Sequence, residues 1–454
     1  MNRSQQLGEE KIGKLLLKFS IPAIIGMLVN GLYNIVDRIF VGRGVGSLAL
    51  SGIAISFPIT LAIMAFGMLI GIGATAVISI RLGQQKREEA ERIVGNAFVL
   101  LVGISLLITF LGYLFMDPLL VGLGASAEVL PYAKQYISVL LAGAVFQSVG
   151  FGMNNFIRAE GNPKIAMYTM ILGAVLNTIL NPIFIFGMHL GVAGSALATV
   201  ISQFVTSVWV MYYFLGNRAM LKLRLRNFKL EWMLVKAILA IGLSPFSMQI
   251  VGSFVTVFLN KSLAIYGGDV SIAAMGIITS IAMLIFMPIF GIGQGSQPIL
   301  GYNYGARNYE RVKQTLKLTV IAATGVMSLG FLMVEFFPIA LMSLFSTDPE
   351  LIRIGANGMR IYLVMLPIIG FQVTVVGYFQ ATGKPRKSLF LSLSRQLIFL
   401  VPMIWILPRF FGLRGVWLAS PVADFASAAV TALWLYQDLK QLGQTHQEIK
   451  TEVA

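Results

Sequence analysis

The sequence predicts an all-α polytopic membrane protein, with twelve transmembrane helices in two pseudo-symmetric six-helix bundles. Three observations carry this reading. The 454-residue chain is 57% hydrophobic and only 12% charged, with a mean hydropathy of +0.82, whereas a soluble domain carries about 25% charged residues. Its apolar residues fall into twelve runs, each long enough to supply the roughly 20 helical residues that cross a bilayer core. Landmarks of the first half recur in the second at a nearly constant offset, which chance explains poorly.

In chain order, residues 1–14 read as a polar, basic, amphipathic lead-in. They do not read as a cleavable signal peptide, because the apolar run that follows is too long and lacks a small-residue cleavage site. Runs at 15–41, 51–80, 93–116, 131–157, 165–186 and 191–215 predict the spans of a first lobe, residues 1–215. A linker at 216–236 follows, with no room for a soluble domain. Runs at 237–266, 272–300, 315–338, 352–379, 388–408 and 414–437 predict a second lobe, residues 237–437, and 438–454 reads as a short polar tail.

Charge sets the expected orientation. Placing both termini inside puts 26 of the 34 Lys and Arg residues in inner segments, the bias that marks cytoplasmic loops. The net charge of +15 is therefore read as basic loops retained inside, not as a nucleic-acid surface. The absence of cysteine excludes disulfides, thiolate chemistry and Cys-based metal sites.

The repeat is specific. Gly71-Ile-Gly73 precedes Gly83 and a charged run, as Gly291-Ile-Gly293 precedes Gly305 and a similar run. Gly161-Asn-Pro163-Lys164 lies 78 residues after Gly83, and Gly383-Lys-Pro385-Arg386 lies 78 residues after Gly305. Six spans per half is an even number, so the repeats run parallel, related by an axis along the membrane normal, with a cavity expected between them.

Within the first span, Asn30, Tyr33, Asn34 and Asp37 follow helical spacing and share a polar face among Leu, Ile, Val and Phe. A carboxylate at that place costs a few kcal/mol to bury and usually handles protons, ions or substrate. Asp37 is therefore read as the coupling residue of a secondary transporter.

Several stretches together resemble the multidrug and toxic compound extrusion (MATE) family over nearly the whole chain. They are Asn34-Ile-Val-Asp37-Arg-Ile-Phe-Val-Gly42, Arg158-Ala-Glu-Gly-Asn-Pro163, Asn177-Thr-Ile-Leu-Asn181-Pro-Ile-Phe-Ile-Phe-Gly187, and Gly291-Ile-Gly-Gln294-Gly-Ser-Gln297-Pro298 with Gly301-Tyr-Asn-Tyr-Gly305. Gly415-Val-Trp-Leu-Ala-Ser-Pro421-Val-Ala-Asp424 resembles the bacterial MepA-like branch. The resemblance implies a carrier in the bacterial cytoplasmic membrane that exports amphipathic, mostly cationic drugs or toxic organic cations by alternating access. Inward H⁺ or Na⁺ would drive it, with no cofactor, obligate protein partner or nucleic acid.

Depth counting places Asp37, Asn177, Asn181, Thr199 and Gln203 roughly 6–18 Å below the outer surface. Asn177 and Asn181 share a helix face, as do Thr199 and Gln203. A carboxylate, amide carbonyls and a hydroxyl suit a hard cation; the same groups could instead hold a protonated Asp37, or the amides could merely join helices. By resemblance, Asp37, Asn177, Asn181 and Thr199 match the family's first-lobe cation site, which Asn154 joins by analogy. The family usually has Asp where this chain has Asn181. One carboxylate holds Na⁺ less well than two but can exchange one proton, so the reading leans to H⁺ and leaves transient Na⁺ at Asp37 open.

For the substrate path, the stretch from Gly291 to Pro298 is expected to interrupt its helix, as broken helices line transport cavities; close packing through small residues is the competing reading. Gln294, Gln297, Asp424 and the adaptable side chains Met64, Met68, Met248, Met275, Met283 and Met287 are the candidate cavity residues, with pairing to a basic or hydroxyl group as the other reading of Asp424. No P-loop, H-E-x-x-H or G-x-S-x-G motif occurs, so neither an ATP-driven pump nor a membrane enzyme is favoured. A lipid-linked oligosaccharide flippase of the same superfamily is the nearer alternative.

Overall fold

A computed structural model describes residues 3–453, with side chains except at 3–4, Asn34, Arg38, Arg43, Ser47 and 445–453. Among the described residues the chain is helical, without a strand. The first half comprises α1 (Arg3–Glu9), α2 (Ile12–Gly44), α3 (Ser47–Gly83), α4 (Arg87–Leu114), α5 (Met116–Gly122), α6 (Leu130–Ala159), α7 (Pro163–Pro182) with a π-helical turn Ile183–Gly187, and α8 (Gly191–Leu215). After a 3₁₀ turn at Leu225–Phe228, the second half comprises α9 (Trp232–Gly305), α10 (Tyr309–Phe336), α11 (Pro338–Ser343), α12 (Pro349–Tyr362), α13 (Leu366–Ala381) and α14 (Pro385–Leu393). A π-helical segment Ser394–Leu400 leads into α15 (Val401–Phe411), and α16 (Leu413–Val453) follows.

Among the described residues, ten helices are long and apolar enough to span a bilayer. One of them, α9, holds two spans, because Gly268 adopts φ 64, ψ −170 and breaks it, a conformation open mainly to glycine. The bent pair α12 and α13, meeting at 51°, supplies the twelfth span.

The repeat is written into the backbone. Gln85 (φ 62) and Arg307 (φ 56), 222 positions apart, both take left-handed turns, as do Gly161 (φ 98) and Gly383 (φ 69). Each glycine turn is followed by a helix with proline in its first turn, Pro163 or Pro385, where the missing N–H costs nothing. Each bundle has its own apolar interior. Phe156, Phe214 and Ile93 are buried in the first, and Met327, Met359 and Leu366 in the second.

The bundles meet through glycines near the face that carries the basic loops. A Cβ on Gly242 would lie 1.7 Å from the Leu69 carbonyl oxygen, and one on Gly73 2.2 Å from that of Ile238. Gly83 and Gly305 oppose each other's helices in the same way, at 1.9 Å from Tyr302 O and 2.1 Å from Ile80 O. The backbones of α3 and α9 therefore touch, and the Phe66 and Phe246 rings stack obliquely above them at 4.9 Å.

Two sequence expectations need correction. The helix is not interrupted over 291–298; α9 runs through it, and Gly291 and Gly295 instead let it press on Ile24 and Ser20 of α2, each 2.7 Å from the missing Cβ. Beyond residue 437, α16 continues to Val453. Asp438 within it is fully buried, accepting from Tyr378 and bridged to Lys384 and Lys387 at 2.7 Å each. Finally, α2 reaches Gly44 rather than Val41, which sets Asp37 about one turn deeper from the helix end than counted.

Candidate cation site in the first bundle

Asp37 is half-buried on α2, and its surroundings come from α7 and α8. Asn177 and Asn181 stand one turn apart on α7, as Ser195 and Thr199 do on α8, so each helix offers two polar groups in line. Local sequence brings the three helices together. Pro182 has no N–H to donate, and the helix opens into the π turn Ile183–Gly187. Gly44 at the end of α2 would place a Cβ 2.4 Å from Ile185, and Gly194 at the start of α8 would place one 3.0 Å from the Phe184 carbonyl. Only glycine allows both helix ends to press on that turn, and this sets Ser195 beside Asp37.

The hydrogen bonds form one connected chain. Asp37 Oδ1 accepts from Asn181 Nδ2 at 2.5 Å and from Ser195 Oγ at 2.8 Å. Asn181 Nδ2 also donates to Asn177 Oδ1 at 3.0 Å, and Asn177 Nδ2 donates to Thr199 Oγ1 at 3.0 Å. Asn181 and Ser195 are fully buried. The remaining oxygen, Asn181 Oδ1, is buried without a hydrogen-bond partner, an acceptor left open beside a carboxylate. Such a chain can hold an anionic carboxylate through its donors. It can hold a protonated one, or a small cation, through its oxygens.

Of the residues singled out from the sequence, Asp37, Asn177, Asn181 and Thr199 are thus joined. Tyr33 lies one turn before Asp37 on α2, and the side chain of Asn34 lies outside those described. Asn154 stands apart; its amide donates to Ala166 O at 3.2 Å. Gln203, one turn beyond Thr199, buries an Oε1 that has no partner and forms no bond to the chain from Asp37 to Thr199. Ser195 was missed by the sequence reading. Its one signal in the sequence is the four-residue spacing of 195, 199 and 203, a weak one because a serine near a helix end commonly satisfies itself locally.

The candidate cavity residues scatter. Met64 and Met283 are exposed, while Met68 and Met248 are half-buried. Met287 packs on Gly31 between α2 and α9. Gln294 Nε2 faces Met27 Sδ at 3.9 Å, and Gln297 Nε2 donates to Ile72 O at 3.4 Å, both between the bundles. Two need correction. Met275 belongs to the interior of the second bundle. Asp424 is 1% exposed, held by Arg395 Nε at 2.6 Å and Ser420 Oγ at 3.3 Å, so its charge is matched within the bundle and not offered to a cavity. The partner comes from the π-helical segment Ser394–Leu400, a contact no sequence spacing announces.

A family model, MatE, matches residues 22–183 and again 244–406, once on each half. The chain belongs to the MatE family. It is similar to the multidrug export protein MepA of Staphylococcus haemolyticus (strain JCSC1435), at 28% identity over 94% of each chain. It is also similar to that of Staphylococcus aureus (strain MSSA476), at 30% identity over 93% of each, which places it in the MepA-like branch. Among solved structures, an outward-facing multidrug resistance MATE family transporter of the MOP superfamily superposes with a TM-score of 0.92 at 30% identity, covering 97% of this chain and 98% of that one. The MATE multidrug transporter DinF-BH superposes with a TM-score of 0.89 at 40% identity, covering 95% of this chain and 97% of that one. The two-lobe arrangement of twelve spans is thus that of the family.

Proposed function

We propose that this MatE protein is a secondary active multidrug efflux transporter, exporting amphipathic, mostly cationic compounds in exchange for H⁺ by alternating access. In this reading it sits in the bacterial cytoplasmic membrane with both termini and the basic face inside. Its lobes are residues 1–215 and 237–437, joined by the linker 216–236 and followed by the tail 438–454. The observation that carries the proposal is the carboxylate of Asp37 held by Asn181 and Ser195 from two other helices. Every other member of that bonded chain is an uncharged amide or hydroxyl, so within it Asp37 is the group that can gain or lose a proton.

Deprotonated, Asp37 accepts both donors and ties α2 to α7 and α8. Protonated, its carboxyl becomes a donor, and Asn181 must turn an oxygen toward it; Asn181 Oδ1 is the acceptor without a partner. Turning that amide sets an oxygen against Asn177 Oδ1, so Asn177 must turn as well, and its bond with Thr199 reverses, with the Thr199 hydroxyl donating. One proton thereby re-sorts the hydrogen bonds of three helices, and drug release outward follows from the repacking.

The test is efflux of a fluorescent lipophilic cation from proteoliposomes, with a pH gradient and a Na⁺ gradient imposed separately, for wild type and Asp37→Asn. Export driven by the pH gradient and lost in the variant is the expected result. Export driven by Na⁺ alone replaces the ion, wild-type export in Asp37→Asn removes the role of Asp37, and no export by folded wild type moves the reading to a lipid-linked oligosaccharide flippase.

A further inference from the structure

Each half of the chain opens with a short lead-in that runs along the basic face before entering its first span. For the first half it is α1; for the second it is the linker through Leu225–Phe228 to Glu231, the position 222 residues after Glu9. We infer that these lead-ins are a reciprocal pair of latches, each gripped by the bundle it does not enter, and that together they hold the basic face shut.

α1 is gripped by the second bundle. Asn303 Nδ2 at the end of α9 donates to Leu7 O at 2.9 Å. Arg311 Nη2 on α10 donates to Leu7 O at 3.2 Å and to Glu10 O at 2.7 Å, while its Nε donates to Asn303 Oδ1 at 3.0 Å and so aims the fork. These carbonyls close a helix end that would otherwise lack partners. Leu7 is fully buried, and a Cβ on Gly8 would lie 3.0 Å from the Tyr302 ring, so α1 is seated and not merely nearby. It is tied to its own bundle by two lysines of α2: Lys18 Nζ reaches Gln6 Oε1 at 2.9 Å and Glu10 Oε2 at 3.2 Å, and Lys14 Nζ reaches Glu10 Oε1 at 3.0 Å.

The linker is gripped by the first bundle in the same fashion. The fully buried side chain of Asn96 on α4 donates to Asn227 O at 3.2 Å and to Lys229 O at 3.1 Å, and accepts from Glu231 N at 2.7 Å. Glu91, one turn earlier, meets Arg224 at 3.4 Å. Gly95 between them would place a Cβ 2.4 Å from Asn227 O, so the linker lies directly on the helix. One residue past Glu231 the chain enters α9 and leaves for the other bundle.

This inference rests on the alternating-access reading. Opening the basic face pulls α2 away from α9, which stretches α1 between Lys18 and Arg311. It likewise stretches the entry to α9 away from Asn96. Both grips must release for the face to open, and a charge-assisted hydrogen bond is worth about tenfold or more in such an equilibrium.

The protein has no cysteine, so introduced ones report alone. Lys164→Cys and Arg386→Cys, both exposed and in matching turns outside the latches, carry spin labels that read the width of the basic face in proteoliposomes. Arg311→Ala combined with Asn96→Ala should raise the long-distance population about tenfold, and an unchanged distance distribution overturns the latch. Because Asn96 is buried, a second test keeps the native grips: Gly8→Cys is bridged to Tyr302→Cys by a short thiol crosslinker. Export should fall at least tenfold (roughly the factor of one lost charged bond) and return with reductant; undiminished export by bridged protein overturns the latch. Failure of wild type to export overturns the transport reading alone, and the distances then decide the latch.

Discussion

Replacing Gly242 by alanine isolates the contact that closes the two bundles on the basic face. The added methyl would lie 1.7 Å from Leu69 O and 2.5 Å from its carbonyl carbon. Both atoms are main chain, so no rotamer change relieves them, and α3 and α9 must part by roughly 1.5 Å to reach ordinary contact. Overpacking of this kind costs about 1–3 kcal/mol or more. Alanine also favours the helix over glycine by about 1 kcal/mol, in the open and closed forms alike, so that gain does not offset the clash in the equilibrium between them. The closed form is expected to lose about tenfold or more in population. The spin-label pair at Lys164→Cys and Arg386→Cys reads this directly, with Gly276→Ala as the control, because nothing lies within 4 Å of its missing Cβ. A Gly242→Ala protein with the closed population of the Gly276→Ala control would refute the claim that backbone contact seals this face.

Ser195→Ala removes a donor to Asp37 Oδ1, a charge-assisted bond worth about 1.5–3 kcal/mol; under the proton-driven reading, efflux driven by a pH gradient should fall about tenfold or more, and undiminished efflux rules Ser195 out of the coupling step. Asp438→Asn leaves Lys384 and Lys387 without their shared carboxylate, at a cost of about 3 kcal/mol, so thermal unfolding should begin lower while Asp37-dependent coupling persists; an unchanged melting curve counts against the bridge. The Glu10 carboxyl is held below the ordinary glutamate value of 4.5, chiefly by the hydrogen bond from Lys14 and then by Lys18. Its tie to α2 is thus complete above that value and lost as pH falls through the lowered one. A spin label at Glu9→Cys should stay immobile from neutral pH down to about that point and loosen only below it; loosening near pH 6 would contradict this.

The class, the count of twelve spans, the repeat and the presence of one carboxylate, Asp37, in an apolar first span are legible in the sequence alone. Each of these is a statement about composition or about periodicity along one chain, and a carboxylate in an apolar span stands out without knowledge of its neighbours. Asn177, Asn181 and Thr199 were legible too, because spacing of four residues places groups on one helix face. Tertiary structure decided what touches what. Ser195 became part of the site only when Gly44 and Gly194 were seen pressing two helix ends on one π turn. Asp424 left the cavity only when Arg395 met it from another helix. The glycines from Gly291 onward read equally well as a broken helix or as a packing surface. They proved to be packing, because a missing side chain carries no signal of its own until the backbone that fills its place is known.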